Sequence, residues 1–168
     1  RYIERDMTSP DGAFYSATDA DSPGPDGERE EGLFFTWTPD EIAAVLDEEP
    51  ARVVSAYYGV TDDGNFEGRS ILHTPRPLPG VAAELDIPED SLRRTIDEAR
   101  ERLYAARATR PPPLRDDKIL TAWNGLMISA LAQASLVLDE LRYAERASRA
   151  AGYLLDTLRQ DGRLLRAS

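Results

Sequence analysis

The apolar positions along this chain fall mostly on helical spacing. From Glu89 to about Thr109, Leu92, Ile96, Ala99, Leu103 and Ala106 form one stripe, while Arg93, Arg94, Asp97, Glu98 and Glu101 lie off it. That spacing predicts a long amphipathic helix, ended by Arg110-Pro111-Pro112-Pro113. Ile119 to Leu138 carries no charge at all. Its length raises a membrane span, but Thr121, Asn124, Ser129, Gln133 and Ser135 interrupt it on several sides. The expectation is therefore a helix buried on nearly all faces inside a helical protein. Leu141 to Arg159 is amphipathic, with Leu141, Ala144, Ala147, Ala151, Leu154, Leu155 and Leu158 on its stripe. An all-round apolar helix followed by a one-sided helix suits a two-layered helical barrel, with an inner and outer pair over 116–159.

The N-terminal part reads differently. Residues 12–18 and 33–37 are β-prone, aromatic runs separated by an Asp-, Glu-, Pro- and Gly-rich stretch. They predict a β-hairpin over 12–37 with a long acidic loop. Thr38-Pro39-Asp40-Glu41 is a capping box with Pro at the first helical position; Ile42, Val45 and Leu46 continue at helical spacing. A second short helix is expected over Ala51 to Tyr58, closed by Gly59. Val60 to Pro79 reads as loop, so that 39–109 comprises helices and a loop. Phe34, Phe35, Tyr57 and Tyr58 are expected in the core. The first seven residues read like the tail of a helix, and Gly162 to Ser168 like the start of a strand. Both ends therefore read as cuts inside a longer protein.

Composition removes several classes of chemistry. Among the 168 residues there is no cysteine and one histidine, His73. Disulfide scaffolds, thiol catalysis, iron–sulfur clusters and multi-histidine zinc sites are excluded. No nucleophile-elbow pattern lies near His73. Neither a metal nor a cofactor is expected. The net charge of −11 disfavours nucleic acid and anionic membranes as partners. The excess acid suits a high-salt habitat or, equally, a genome that favours Arg over Lys. No signal-peptide pattern opens the chain, and a cytoplasmic protein is expected.

Three segments could carry chemistry. In the acidic loop, Asp19, Asp21, Gly24 and Glu30 match positions one, three, six and twelve of an EF-hand, although Pro23 offers no ligand at position five. The loop is otherwise a solvated hairpin tip or a carboxylate cluster at a pocket rim, where close carboxylates could act as acid and base. The second segment, Asp116-Asp117-Lys118 with Trp123-Asn124-Gly125, holds the only lysine. It combines acid, amine, aromatic plate and amide, groups that can hold a polyol; the alternative is a helix start with a core tryptophan. The amide of Asn124, among apolar neighbours, needs a partner. The third, Asp62 to Arg69, reads as a structural turn.

The blocks Gly12-Ala13-Phe14-Tyr15-Ser16-Ala17, Asp19-Ala20-Asp21-Ser22, Glu30 to Trp37, Tyr58-Gly59-Val60, Gly64-Asn65-Phe66-Glu67-Gly68, Asp116-Asp117-Lys118 and Trp123-Asn124-Gly125-Leu126-Met127 together resemble a family. In order and spacing they are similar to the spermatogenesis-associated, thioredoxin-domain-containing proteins. Ala13 in place of Gly, Ser70 in place of Asn and a longer Pro23-Gly24-Pro25-Asp26-Gly27 tip depart from its pattern. The resemblance implies a mainly α fold that is part of an (α/α)6 toroid with a β-hairpin insertion near its N-terminus. Such toroids are similar to those of N-acylglucosamine 2-epimerases and six-hairpin glycosidases. A thioredoxin-like domain would lie upstream. The expected ligand is a carbohydrate-like small molecule, with isomerase- or hydrolase-like chemistry or, alternatively, a non-catalytic scaffold. Asp19, Asp21, Glu31, Asp116, Asp117 and Lys118 are the candidate catalytic residues; Trp123, Asn124 and Trp37 are the candidate substrate-binding residues.

Overall fold

The computed structural model describes residues 2–168. In chain order the elements begin with α1 (Tyr2–Asp6), β1 (Ala17–Thr18), β2 (Asp21–Pro23), β3 (Arg29–Glu31), α2 (Pro39–Val45) and α3 (Glu48–Tyr58). They continue with α4 (Leu78–Leu85), α5 (Glu89–Arg107), β4 (Arg115–Asp116), α6 (Thr121–Leu138), α7 (Leu141–Thr157), β5 (Arg159–Gln160) and β6 (Arg163–Leu164). The chain forms two compact units. The first joins residues 2–19 to 114–168, and the second comprises residues 20–113.

In the second unit, α2 starts where its capping box predicts. The Thr38 hydroxyl accepts from the Glu41 amide at 3.2 Å, and the Glu41 carboxylate accepts from the Thr38 amide at 3.0 Å. Thr38→Ala is expected to lower stability by about 1 kcal/mol, measurable as a shift of the urea midpoint. Helix α3 closes at Gly59 in the left-handed conformation, as expected. Helix α5 buries Leu92, Ile96, Ala99 and Leu103, four members of its predicted stripe. These join two clusters, one built on Trp37, Ile42, Val54, Ala99 and Leu103, the other on Val53, Val81, Leu92 and Ile96. Both follow from burying the apolar sides of α2 to α5 against each other.

Two features of this unit differ from the sequence expectation. Helix α4 has no counterpart in it. Pro79 and Gly80 look like loop punctuation, yet Pro79 occupies the first turn, where a missing N–H costs nothing. The hairpin is also smaller than 12–37. It lies within the acidic segment, with Asp21 opposite Glu31, Ser22 opposite Glu30 and Pro23 opposite Arg29. Leu33 to Phe35 form turns, and Trp37 bridges to Ser70. Phe35 is partly exposed, and the Arg107 guanidinium lies over the Phe34 and Phe35 rings. The Asp62 to Arg69 segment is a closed turn, as expected: a side chain on Gly64 would meet the Arg69 main chain at 2.2 Å.

In the first unit, β1 pairs antiparallel with β4, Ala17 opposite Asp116. The predicted partner of residues 12–18 was the 33–37 run. The actual partner, β4 at Arg115–Asp116, lies far away in the chain. Helices α6 and α7 pack as an antiparallel pair joined at Asp139, which adopts the left-handed conformation. Ala147, Ala150, Leu154 and Leu158 are buried, the last two packing with Ala13 and Ile119. Leu141 and Leu155, predicted on the same stripe, are exposed. The β5–β6 hairpin and the last residues return to the start of α6, where the Thr121 hydroxyl donates to the Leu165 carbonyl at 2.6 Å.

Helix α6 corrects a larger expectation. Instead of being covered on nearly all faces, it buries only Asn124. Leu126, Leu136 and Val137 are open, Leu136 at 85% exposure. Helix α7 covers one side, and within this unit no second layer covers the others. The helix is long and apolar enough, by length and composition alone, to cross a membrane.

Candidate functional site

The first unit holds the most complete set of the expected groups. Its foundation is Asn124. The side-chain oxygen accepts from the Phe14 amide at 2.8 Å, and the side-chain nitrogen donates to the Phe14 carbonyl at 2.9 Å and the Leu120 carbonyl at 3.1 Å. This clamp fixes residues 13–16 against α6. The partner that the buried amide required is thus the backbone, and Asn124, at 1% exposure, lies at the base of a recess that it helps to line.

One turn of clamped chain and the neighbouring strand then shape a recess of about 310 Å³. Trp123, Asn124 and Met127 of α6 line one side; Phe14, Tyr15 and β1 line another; Tyr2 and Ile3 of α1 complete it. Trp123 is 55% exposed, so its ring faces solvent at the recess. Hydroxyls come from Ser16, Thr18 and Tyr2, with Tyr2 Oη and Thr18 Oγ1 3.4 Å apart. Ser16 is held by β4: its amide and hydroxyl both donate to the Asp116 carbonyl, at 3.2 and 3.1 Å.

The charged residues sit on β4 and just after it. Lys118 Nζ lies 3.1 Å from the Asp116 carboxylate. That hydrogen bond, together with contributions from the Ser16 hydroxyl and the Lys118 amide, holds the Asp116 carboxyl below its ordinary range. Asp116 is therefore an ionised acceptor at neutral pH and not a proton donor. Asp117 pairs with Arg115, whose guanidinium also lies 4.1 Å from the Tyr15 ring centroid and donates to the Asp6 carbonyl. Asp19, exposed, donates its amide to the Leu114 carbonyl at 2.7 Å and belongs to this same unit.

The other expected site residues belong to the second unit. Asp21 and Glu31 are cross-strand neighbours on β2 and β3. Trp37 is 3% exposed, and Arg110 covers its ring at 4.1 Å. It is a core residue and offers no face to a ligand, which removes it from the expected binding set. The EF-hand reading finds strands on both sides of its loop, where helices would be required. Among the described residues no group of three or more His, Asp or Glu gathers in reach of one ion. His73 is engaged locally with Asn65, at 3.2 Å. Tyr2, Tyr15, Thr18 and Met127 were not singled out as site residues from the sequence, although Tyr15 and Met127 stand in the blocks that carry the family resemblance.

Fold and site define a mainly α-helical segment with an aromatic, hydroxyl-edged recess beside an Asp–Lys pair. In sequence the chain is similar to spermatogenesis-associated protein 20 of Homo sapiens, 33% identical over 174 residues, covering 92% of this chain and 22% of that protein. It is 31% identical to the protein of the same name in Rattus norvegicus, over the same shares of each chain. An uncharacterized protein of Caenorhabditis elegans is 32% identical over 185 residues, 99% of this chain and 25% of that one. The chain thus spans about a quarter of the length of the curated relatives it matches. No family model matches it.

Proposed function

We propose that this chain is a segment of a longer protein of the spermatogenesis-associated, thioredoxin-domain-containing kind, and that its first unit holds a carbohydrate-like polyol in the recess at Trp123. The observation that carries this reading is the exposed indole at a concave site lined by the hydroxyl-bearing residues Tyr2, Tyr15, Ser16 and Thr18. A sugar ring presents C–H groups to an aromatic face and hydroxyls to a polar edge, which is the pairing such a recess offers. Asp116 and Lys118 supply an ionised acceptor and a cationic donor beside β1. Asp19 adds a carboxylate to the same unit, and Asp117 acts through Arg115. Asp21 and Glu31 belong to the second unit and have no part in this recess.

In the same reading, α6 and α7 are one inner–outer pair of an α/α toroid. The uncovered apolar side of α6 packs on neighbouring helices of the longer, cytoplasmic protein and not on lipid. Sugar isomerases and hydrolases need a group that donates a proton at neutral pH. Asp116, held ionised by Lys118, suits the role of acceptor or base and not that of the proton donor. A non-catalytic scaffold is the second reading, supported by the basic partners already beside Asp116 and Asp117.

The test is a calorimetric titration of the chain with a panel of neutral mono- and disaccharides. Saturable binding by at least one sugar, weakened about tenfold or more in Trp123→Ala, is expected from the loss of a stacked aromatic contact of ~1.4 kcal/mol. Unchanged melting of that variant shows that the fold persists. Absence of binding across the panel supports the scaffold.

A further inference from the structure

A second cavity of the first unit differs from the recess in its chemistry. It is a cleft of about 640 Å³ between α7 and residues 8–15. Arg142, Arg146 and Arg149 line it from successive turns of α7, Arg115 joins them, and Glu4 and Glu145 are its carboxylates. Four guanidinium groups at one cleft are unexpected in a chain of net charge −11, whose overall field repels anions. Their partners differ. Arg146 pairs with Glu4 at 2.9 Å, Arg142 with Glu140, and Arg115 with Asp117.

Arg149 has no carboxylate partner among the described residues. It donates to the Pro10 carbonyl at 3.2 Å and otherwise faces the cleft. Glu145, one turn earlier where an i,i+4 pair would form, makes no ion pair with it. The loop is built to admit this side chain. Gly12 has φ +94°, and a Cβ there would approach Arg149 Cβ and Nε to 3.1 Å.

We propose that this cleft binds the phosphate group of a small soluble phosphate ester, with Arg149 as the principal anchor and Arg142 and Arg115 around it. A guanidinium presents paired N–H donors that match two oxygens of a phosphate. The cavity exceeds the volume of inorganic phosphate and falls in the range of small-molecule sites, so an organic remainder has room. The proposal rests on charge and shape at this cleft and is independent of the polyol reading.

The test is a titration of the 168-residue chain with inorganic phosphate and with phenyl phosphate, at ionic strength held constant with chloride. Saturable binding is expected, tighter for phenyl phosphate. Arg149→Gln and, separately, Arg142→Gln are each expected to weaken it about tenfold, with melting unchanged. Arg93→Gln, on α5 of the second unit, is expected to leave it unaltered. Binding indifferent to both Arg149→Gln and Arg142→Gln, no binding beyond that of chloride, or capture only by vesicles of phosphatidylcholine and phosphatidic acid would each overturn it.

Discussion

Asn124→Ala is expected to destabilise the first unit by about 2–4 kcal/mol, because it leaves two buried backbone groups of Phe14 without partners at roughly 1–3 kcal/mol each. The side chain bonds both the amide and the carbonyl of Phe14 while 1% exposed. Water cannot replace it without opening the contact between residues 13–16 and α6. Urea unfolding read by circular dichroism measures the loss, and hydrogen exchange at the Phe14 amide localises it. That amide is expected to exchange markedly faster in the variant.

Asn124→Asp sharpens the same prediction. Its carboxylate could still accept from the Phe14 amide, but it would turn a negative oxygen toward the Phe14 and Leu120 carbonyls. Burial and those carbonyls would raise its folded-state pKa above the unfolded value of about 3.9. A raised carboxyl pKa makes the folded state bind more protons, so this variant should gain stability as pH falls through that pKa. A variant no less stable than wild type at pH 7 would contradict the role given to Asn124.

Glu41→Gln is expected to cost the second unit about 2 kcal/mol, less than the 3–5 typical of a broken buried pair because the carboxylate is partly exposed. Glu41 accepts from Arg69 at 2.6 Å, from Arg110 at 3.2 Å and from its own capping amide. Arg110 in turn donates to the carbonyls of Leu33, Phe34 and Thr36 and stacks on Trp37. Removing the one carboxylate leaves two guanidinium groups facing each other. Burial pushes the Glu41 carboxyl up, but the Arg69 and Thr38 hydrogen bonds and the Arg110 charge outweigh it and hold it below the ordinary glutamate value of 4.5.

The sign follows from that direction. A depressed carboxyl pKa contributes stability that is fully present above about pH 4.5 and is lost as pH falls through the folded value. The wild-type chain should lose stability over that acid range. Glu41→Gln should be less stable at pH 7 and show a flatter profile below pH 4.5. Melting temperatures at pH 3 to 7 check both statements.

What could be read from the sequence was what neighbouring residues decide. The capping box at Thr38, the stop at Gly59 and the stripe of α5 depend on residues within a turn or two, and all three are seen. Pairing over distance was not legible. Residues 12–18 found β4 and not the 33–37 run, because Asn124 and the Asp116 carbonyl satisfy their backbone. The two tryptophans show the same limit. Each has a polar neighbour in sequence, Thr36 and Thr38 for Trp37 and Asn124 for Trp123, yet Arg110 and the core enclose Trp37, whereas α6 presents Trp123 outward. Helix α6 was expected to be enclosed from its composition; composition reports what a helix can bury and not what covers it.

The central claim is that Trp123 faces a ligand recess and Trp37 does not. Their two indole N–H resonances can be followed in one nuclear magnetic resonance titration with neutral sugars. The account predicts that the Trp123 signal, assigned by its loss in Trp123→Ala, moves saturably with at least one sugar while the Trp37 signal stays in place. A Trp123 signal that stays fixed across the panel, or that moves only in step with Trp37, would contradict it.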